Sequence, residues 1–239
     1  MTDRWAQAVR HQVGMGRLLP LGGPRDGAWI AEQAAAAVLG RAAAAGVPDA
    51  RLGALRITLA DPEEVHEPVV PSPPSALAPG PLRVTADVTA TAAEPLPTTA
   101  ARLRRTLATA AAEQLGLAVT EVDLRVTDLV EPDGPAPQAP GPQPPAARQI
   151  TDPQESGVAA AALSVPGVTR LTGSLGGLAR AVHIEERPDE TALPRRHVRV
   201  EVAVDADHRA VDVARQVRAA VRDALDDHPT VAVLITAVG

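Results

Sequence analysis

The 239-residue chain contains no cysteine, lysine, asparagine, phenylalanine or tyrosine, and Trp5 and Trp29 are its only aromatics. Without cysteine there is no disulfide framework and no thiolate metal site, which fits a reducing compartment. Without lysine or tyrosine there is no amine for a Schiff base, no phosphate-loop lysine and no phenolic acid. Apart from cysteine, the missing residues have codons rich in A and T, so their absence reads as the codon bias of a high-GC bacterial genome. No apolar run approaches the ~20 residues of a membrane span, and Met1 to Trp5 lacks the basic-then-apolar design of a signal peptide. A net charge of −6 and a pI near 5.5 argue against broad attraction to nucleic acid or anionic lipid. The expectation is a cytoplasmic chain with no direct membrane insertion and no nucleic-acid partner.

What is present is a pattern written twice. Arg199-Val-Glu-Val-Ala-Val204, a helical stretch around Val213 to Leu225, and Val231-Ala-Val-Leu-Ile235 follow one another near the C-terminus. More than a hundred residues earlier stand Arg83-Val-Thr-Ala-Asp-Val88, a helical stretch from Leu103 to Leu115, and Val122-Asp-Leu-Arg-Val126. Strand, amphipathic helix and strand, repeated, predict two α+β modules, each helix-strand-strand-helix-strand with its helices on one face of a short sheet. With 1% aromatics their cores are filled by Val, Leu, Ile and Ala. At ~25 cal/mol per Å² such small side chains stabilise each module only modestly unless the modules support each other.

The expected boundaries are an N-terminal segment at 1–26 with a short helix around Trp5 and Val9, a first module at 27–130, a Pro-rich linker at 131–148, and a second module at 149–239. The linker holds seven prolines in eighteen residues, too many for a helix or a central strand. A second Pro-rich stretch, 62–81, interrupts the first module as a long hairpin insertion, and Val69, Val70 and Leu77 suggest that it lies on the protein. Its PxxP spacings also match ligands of aromatic grooves, against which loop packing or disorder is the plainer reading. Helices are expected over Trp29 to Ala45, Thr98 to Leu115, Gly157 to Ser164 and His208 to Asp226.

In the strands, Val84, Ala86 and Val88 face one way and Arg83, Thr85 and Asp87 the other, as do Val200, Val202 and Val204 against Arg199 and Glu201. Such strands are half-buried, with one sheet face left to water or to a partner. The last strand departs from this, because Leu234 occupies the outward register in which the first module carries Arg125. Leu234 beside Ala232 is therefore a candidate inter-module or inter-subunit contact, with a misjudged core register as the alternative.

Few residues suggest chemistry. His183, Glu185 and Glu201 share a strand face and could hold a divalent ion, but their spacing matches no ligand pattern, so neither a metal nor a cofactor is expected. Gly173-Ser-Leu-Gly-Gly177 contains a GxxG, here read as a turn rather than an RNA-binding loop. Arg215, Arg218 and Arg222 line the helix side opposite its apolar stripe, either as contacts to phosphate or an acidic partner, or as its ordinary solvated face. The acidic cluster Glu63-Glu-Val-His-Glu67 is read as solvated. No paired carboxylates, triad or phosphate-cradling loop assembles, so the chain is not expected to be an enzyme.

Ala160-Ala-Ala-Leu-Ser-Val-Pro-Gly-Val168, the strands around Val182 to Ile184 and Val198 to Val204, the long helix and the closing Val231 to Val238 together resemble the alkaline shock protein family of Gram-positive envelope-stress proteins. The resemblance covers about 155–239 and, less closely, 27–130, where Gly46-Val-Pro-Asp49 stands in place of the Val-x-Gly-Val turn. It implies a non-catalytic cytoplasmic scaffold that self-associates and is held near the membrane by another protein. It carries no catalytic residues over. The reading from a different class is a small-ligand sensor with its site between the two modules.

Overall fold

The computed structural model describes residues 16–131, 143–174, 179–187 and 195–239. The expected helix around Trp5 and Val9, most of the Pro-rich linker, residues 175–178 of the Gly-rich stretch and the tip at 188–194 lie outside these residues. In chain order the elements are β1 (Leu18–Pro20), β2 (Ala28–Ala31), α1 (Glu32–Gly46), β3 (Ala50–Leu59), β4 (Leu82–Thr91), α2 (Leu96–Ala110), β5 (Val119–Val130), α3 (Pro153–Leu163), β6 (Val168–Leu171), β7 (Val182–Arg187), β8 (Arg195–Val204), α4 (Ala210–Asp223) and β9 (Thr230–Val238). They form an α+β fold with two sheets.

The smaller sheet has the order β3-β4-β5, with β3 antiparallel to β4 and β4 parallel to β5 across the α2 crossover. Along β4 the alternation is as expected: Val84, Ala86, Val88 and Ala90 are buried while Arg83, Thr85, Asp87 and Thr89 lie at least partly open. The open face carries ion pairs between neighbouring strands, Arg83 to Glu121 at 2.6 Å and Arg125 to Asp87 at 2.8 Å. Helices α1 and α2 pack on each other, α1 against β3 and α2 against β5. The last turn of α2 widens to a π-helical turn at Ala111–Leu115 and ends at Gly116, whose φ of 87° favours glycine.

The larger sheet runs β1-β2-β9-β8-β6, with β7 also paired to β8. Here β7 is antiparallel to β8, and β8 is parallel to β9 across α4. The strand-strand-helix-strand connectivity of the smaller sheet thus occurs again. The difference lies beyond β9, where β2 adds a parallel strand with Trp29 opposite Leu234, and β1 pairs antiparallel to β2.

That strand corrects two expectations. Residues 28–31 are not the first turn of a helix, since α1 begins at Glu32, and they join the sheet of the second half rather than that of the first. The physical reason is burial. All four residues of β2 are buried, and a strand between two others satisfies its backbone groups while placing Trp29 and Ile30 out of water. The larger sheet is also not half-buried throughout. Trp29, Glu201 and Leu234 share one face, and they are as buried as Val200 and Val233 on the other.

Several contacts hold the two halves together. Helix α1 packs against both β3 and β9, and Arg41 donates to the Val238 carbonyl at 2.9 Å. Arg209, at the start of α4, donates through Nε and Nη2 to the Ala112 carbonyl in the π-turn, at 3.1 and 3.0 Å. A Cβ on Gly116 would run into the Val211 side chain, so this glycine permits a close approach as well as a turn. Buried Glu32 accepts from the Ile57 amide at 2.9 Å and the Arg17 amide at 3.3 Å, tying β3 to the chain leading into β1.

The Pro-rich insertion lies on the fold, as Val70 and Leu77 suggested. The Leu77 amide donates to the Leu18 carbonyl at 2.8 Å, and Val70 is buried, although Val69 is exposed. The described end of the linker is also pinned: Ala146 bridges Thr172, and the Arg148 amide donates to the Ala179 carbonyl. Gly167, in the turn after α3, has a φ of 89°, and a Cβ there would meet His208.

Candidate interaction surface

The residues singled out in the sequence fall in three places. Ala232 and Leu234 are fully buried in the middle of the larger sheet, between β8 and β2, and present nothing to a second subunit. Arg215 and Arg218 are engaged by the chain itself. The Arg215 guanidinium donates to both carboxylate oxygens of Asp26 at 2.9 and 3.0 Å, and Arg218 donates to the Arg25 carbonyl at 2.6 Å. This hydrogen bond with Arg215 is the main reason that the Asp26 carboxyl sits below its ordinary range. Arg222 stays largely exposed beside Asp223. The acidic partner of this arginine face is thus the loop between β1 and β2.

His183, on β7, stands opposite Arg199, and its Nε2 lies 3.2 Å from the Arg180 carbonyl. Burial, then the charges of Arg199 and Arg180, hold its pKa below the ordinary histidine value. Two guanidinium groups beside the imidazole disfavour a cation there. Glu201 instead accepts from the Ser174 amide at 2.7 Å. Among the described residues no group of three or more His, Asp or Glu side chains is placed to hold a metal ion.

The depressed His183 pKa has a consequence for stability. The folded protein binds this proton less readily than the unfolded chain does, so the contribution is complete above about pH 6.5 and is lost as pH falls through the lower folded value. His183→Gln is expected to flatten the acid limb of a plot of Tm against pH between about 6.5 and the lower folded value. An unchanged limb would mean that His183 is not held neutral by the fold.

One surface with unused binding capacity is β5. In the larger sheet the strand after the crossover, β9, is closed by β2; in the smaller sheet β5, after its own crossover, pairs among the described strands with β4 alone. Its outer edge is therefore a row of backbone donors and acceptors facing outward along twelve residues, about twice the usual strand length. Arg104 of α2 donates to one of its carbonyls, that of Val122, at 3.1 Å.

The side chains of β5 that share the apolar face with Val84, Ala86 and Ala90 of β4 are Val119, Val122, Leu124, Val126 and Leu129. Val126 and Leu129 are 41% and 54% exposed, so this face runs out past the cover that the helices supply. Between it and α2 lies a shallow apolar cleft lined by Val88, Leu96, Leu103, Leu124 and Val126, and by Thr99, whose buried hydroxyl has no hydrogen-bond partner. Sequence reasoning placed part of β5 and its alternation but not its edge position, because nothing local distinguishes an edge strand from a central one. The usable signal was the charge on its outward face, Glu121, Asp123 and Arg125, where β9 has Ala232, Leu234 and Thr236.

Two further clefts are polar. One, of about 300 Å³, is lined by Arg148, Asp152, Glu155 and Arg180, with Arg180 and Glu155 ion-paired. The other, of about 250 Å³, lies where Arg41 of α1 meets Arg170, Val204 and Val238 of the larger sheet. None of the described helices is long and apolar enough to cross a membrane. No family model matches the chain, and no curated protein matches it at a significant level.

Proposed function

We propose that the chain is a non-catalytic scaffolding protein that acts through self-association or protein partners, in the manner of the envelope-stress proteins its second half resembles. The observation that carries this reading is the twelve-residue edge of β5, which has no strand partner among the described residues and only Arg104 on its Val122 carbonyl, with apolar side chains exposed beside it. Such an edge is a template for adding a strand, and natural proteins close or guard edges that have no partner. Arg215 and Arg218, two of the three arginines that could have served an external acidic ligand, instead hold Asp26 and its loop. On this reading a membrane-anchored protein is a further candidate partner, and the chain itself stays in the cytoplasm.

Light scattering across a concentration series tests the proposal. The expected result is a molar mass that rises above one chain as concentration increases. A mass fixed at 24.6 kDa over the whole series removes self-association and leaves other protein partners.

The second reading, a small-ligand sensor, draws on the cleft between Arg41 and Arg170, which lies where the halves meet. A thermal-shift screen of anionic metabolites and divalent ions addresses it, because a ligand that binds only the native state raises its apparent stability. No stabilisation by any of them would discard it.

A further inference from the structure

We propose that the occupant of the β5 edge is the β5 strand of a second copy of this chain, antiparallel to the first, with the two-fold axis passing through Leu124. The inference rests on the self-association reading above and adds its site and register.

The argument begins with spacing. Beside β4 the strand carries two bulges, one between Val119 and Glu121 and one between Val126 and Asp128, so Thr120 and Thr127 are the extra residues. Both extra residues are threonines whose hydroxyls lie 3.4 Å from a β4 carbonyl, Thr120 at Leu82 and Thr127 at Val88. Because of the bulges, the residues on the apolar face are 119, 122, 124, 126 and 129. Read from either end, that spacing is the same, and Leu124 is its centre. Turning the strand about Leu124 therefore superposes apolar positions on apolar positions: Leu124 meets its own mate, Val122 meets Val126, and Val119 meets Leu129.

The outward face supplies the register. Rotation about Leu124 sets Asp123 of each copy directly opposite Arg125 of the other, where cross-strand Cβ atoms lie about 4.5–5.5 Å apart. Both groups are open to solvent, Asp123 at 65% and Arg125 at 73% of the side chain, and Asp123 has only a long contact, 3.6 Å, with Arg83. Arg125 already holds Asp87 at 2.8 Å, and a guanidinium with five donors can hold a second carboxylate alongside the first. Exposed ion pairs contribute little affinity, so the backbone ladder and the covered Val126 and Leu129 drive the pairing while the two Asp123–Arg125 contacts fix its alignment. A two-fold contact of this kind is self-complementary and closes at two copies.

The larger sheet shows why β5 is the strand used. Its equivalent, β9, has the same edge filled by β2, with Trp29 and Ile30 against Leu234 and Ile235. A second β5 would do for the smaller sheet what β2 does for the larger, and the result is a continuous six-stranded sheet across the dimer.

Because the chain has no cysteine, a single introduced thiol reports on one position. In the full chain, Leu124→Cys places two thiols on the axis, and mild oxidation is expected to yield a cross-linked dimer in non-reducing electrophoresis. Glu121→Cys is the control, since its thiols would lie six residues apart along the strand, roughly 20 Å, and should not cross-link. Independently of any core change, Asp123→Arg is expected to weaken dimerisation about tenfold or more in light scattering. Adding Arg125→Asp to it should recover most of that loss. Cross-linking of Glu121→Cys as efficient as that of Leu124→Cys, or an Asp123→Arg variant that associates like the wild type, would overturn the register. If the wild-type chain associates and these variants fail, the scaffold reading survives without this interface. If the wild type never exceeds one chain, the β5 pairing falls together with self-association, and only the reading through other protein partners is left.

Discussion

Trp29→Ala is expected to lower unfolding free energy by about 3–5 kcal/mol, the usual cost of emptying a large aromatic site in a close-packed core. Trp29 is 1% exposed and is one of four residues forming β2, the strand that joins the N-terminal part of the chain to β9. Its removal opens a void directly beside Leu234, the largest side chain on that face of β9. In a fold whose other core residues are mostly Val, Leu and Ala, no neighbour is large enough to fill it. Urea unfolding followed by circular dichroism gives the value. The transition is expected to move as one, because α1 is common to both sheets. A loss below about 1 kcal/mol, or a variant that unfolds in two separate steps, would mean that β2 does not bind the halves into one cooperative unit.

Glu32→Ala is expected to be the second most damaging single change, for a different reason. Its carboxylate accepts the Ile57 amide through one oxygen and the Arg17 amide through the other, inside the fold. Alanine strands the buried Ile57 amide, at about 1–3 kcal/mol for such a donor, and leaves the part-buried Arg17 amide to water. It also removes a negative charge from the first turn of α1, where the helix dipole favours one. Glu32→Gln separates the two effects, since it keeps one good acceptor and turns an N–H donor toward the other amide. The expected order of Tm is wild type, then Gln, then Ala. Hydrogen exchange at Ile57 should quicken in both variants, and an Ile57 amide as protected in Glu32→Ala as in the wild type would show that the contact carries no stability.

How far the sequence disclosed this arrangement depended on the length and position of each element. The long elements, such as β4 with its valines and α4 with Val213, Val217 and Val221, carry enough periods for one face to stand out. β1 and β2 have three and four residues, all buried, so they show no alternation, and Trp29 and Ile30 read as the apolar start of the Ala-rich helix that follows. Their partner β9 is distant in sequence, and no local pattern announces it. The contrast between Leu234 and Arg125 has its cause in sheet position: Leu234 lies in a strand flanked on both sides, Arg125 in one flanked, among the described strands, by β4 alone. The arginines of α4 posed the opposite problem. Arg215 and Arg218 look like any solvated helix face until the loop holding Asp26 folds over them, and that loop is 189 residues away from Arg215.

The joining of β2 to β9 also dictates an order of events during synthesis. A ribosome releases β1 and β2 long before β9, and Arg41 and the carbonyl it binds at Val238 are 197 residues apart. The smaller sheet is made of near neighbours and can form as soon as β5 has emerged, whereas Trp29 and Ile30, with β1 on one side, must wait for β9 on the other. Contacts of such long range slow folding and leave apolar strands open to wrong partners in the meantime. The loop from Gly22 to Asp26 and the proline-rich arm that rests on Leu18 lie beside those waiting residues. A nascent chain halted before β9 should thus hold a folded β3-β4-β5 unit with a sticky leading end. Its Trp29 should become protected from solvent only once β9 has emerged.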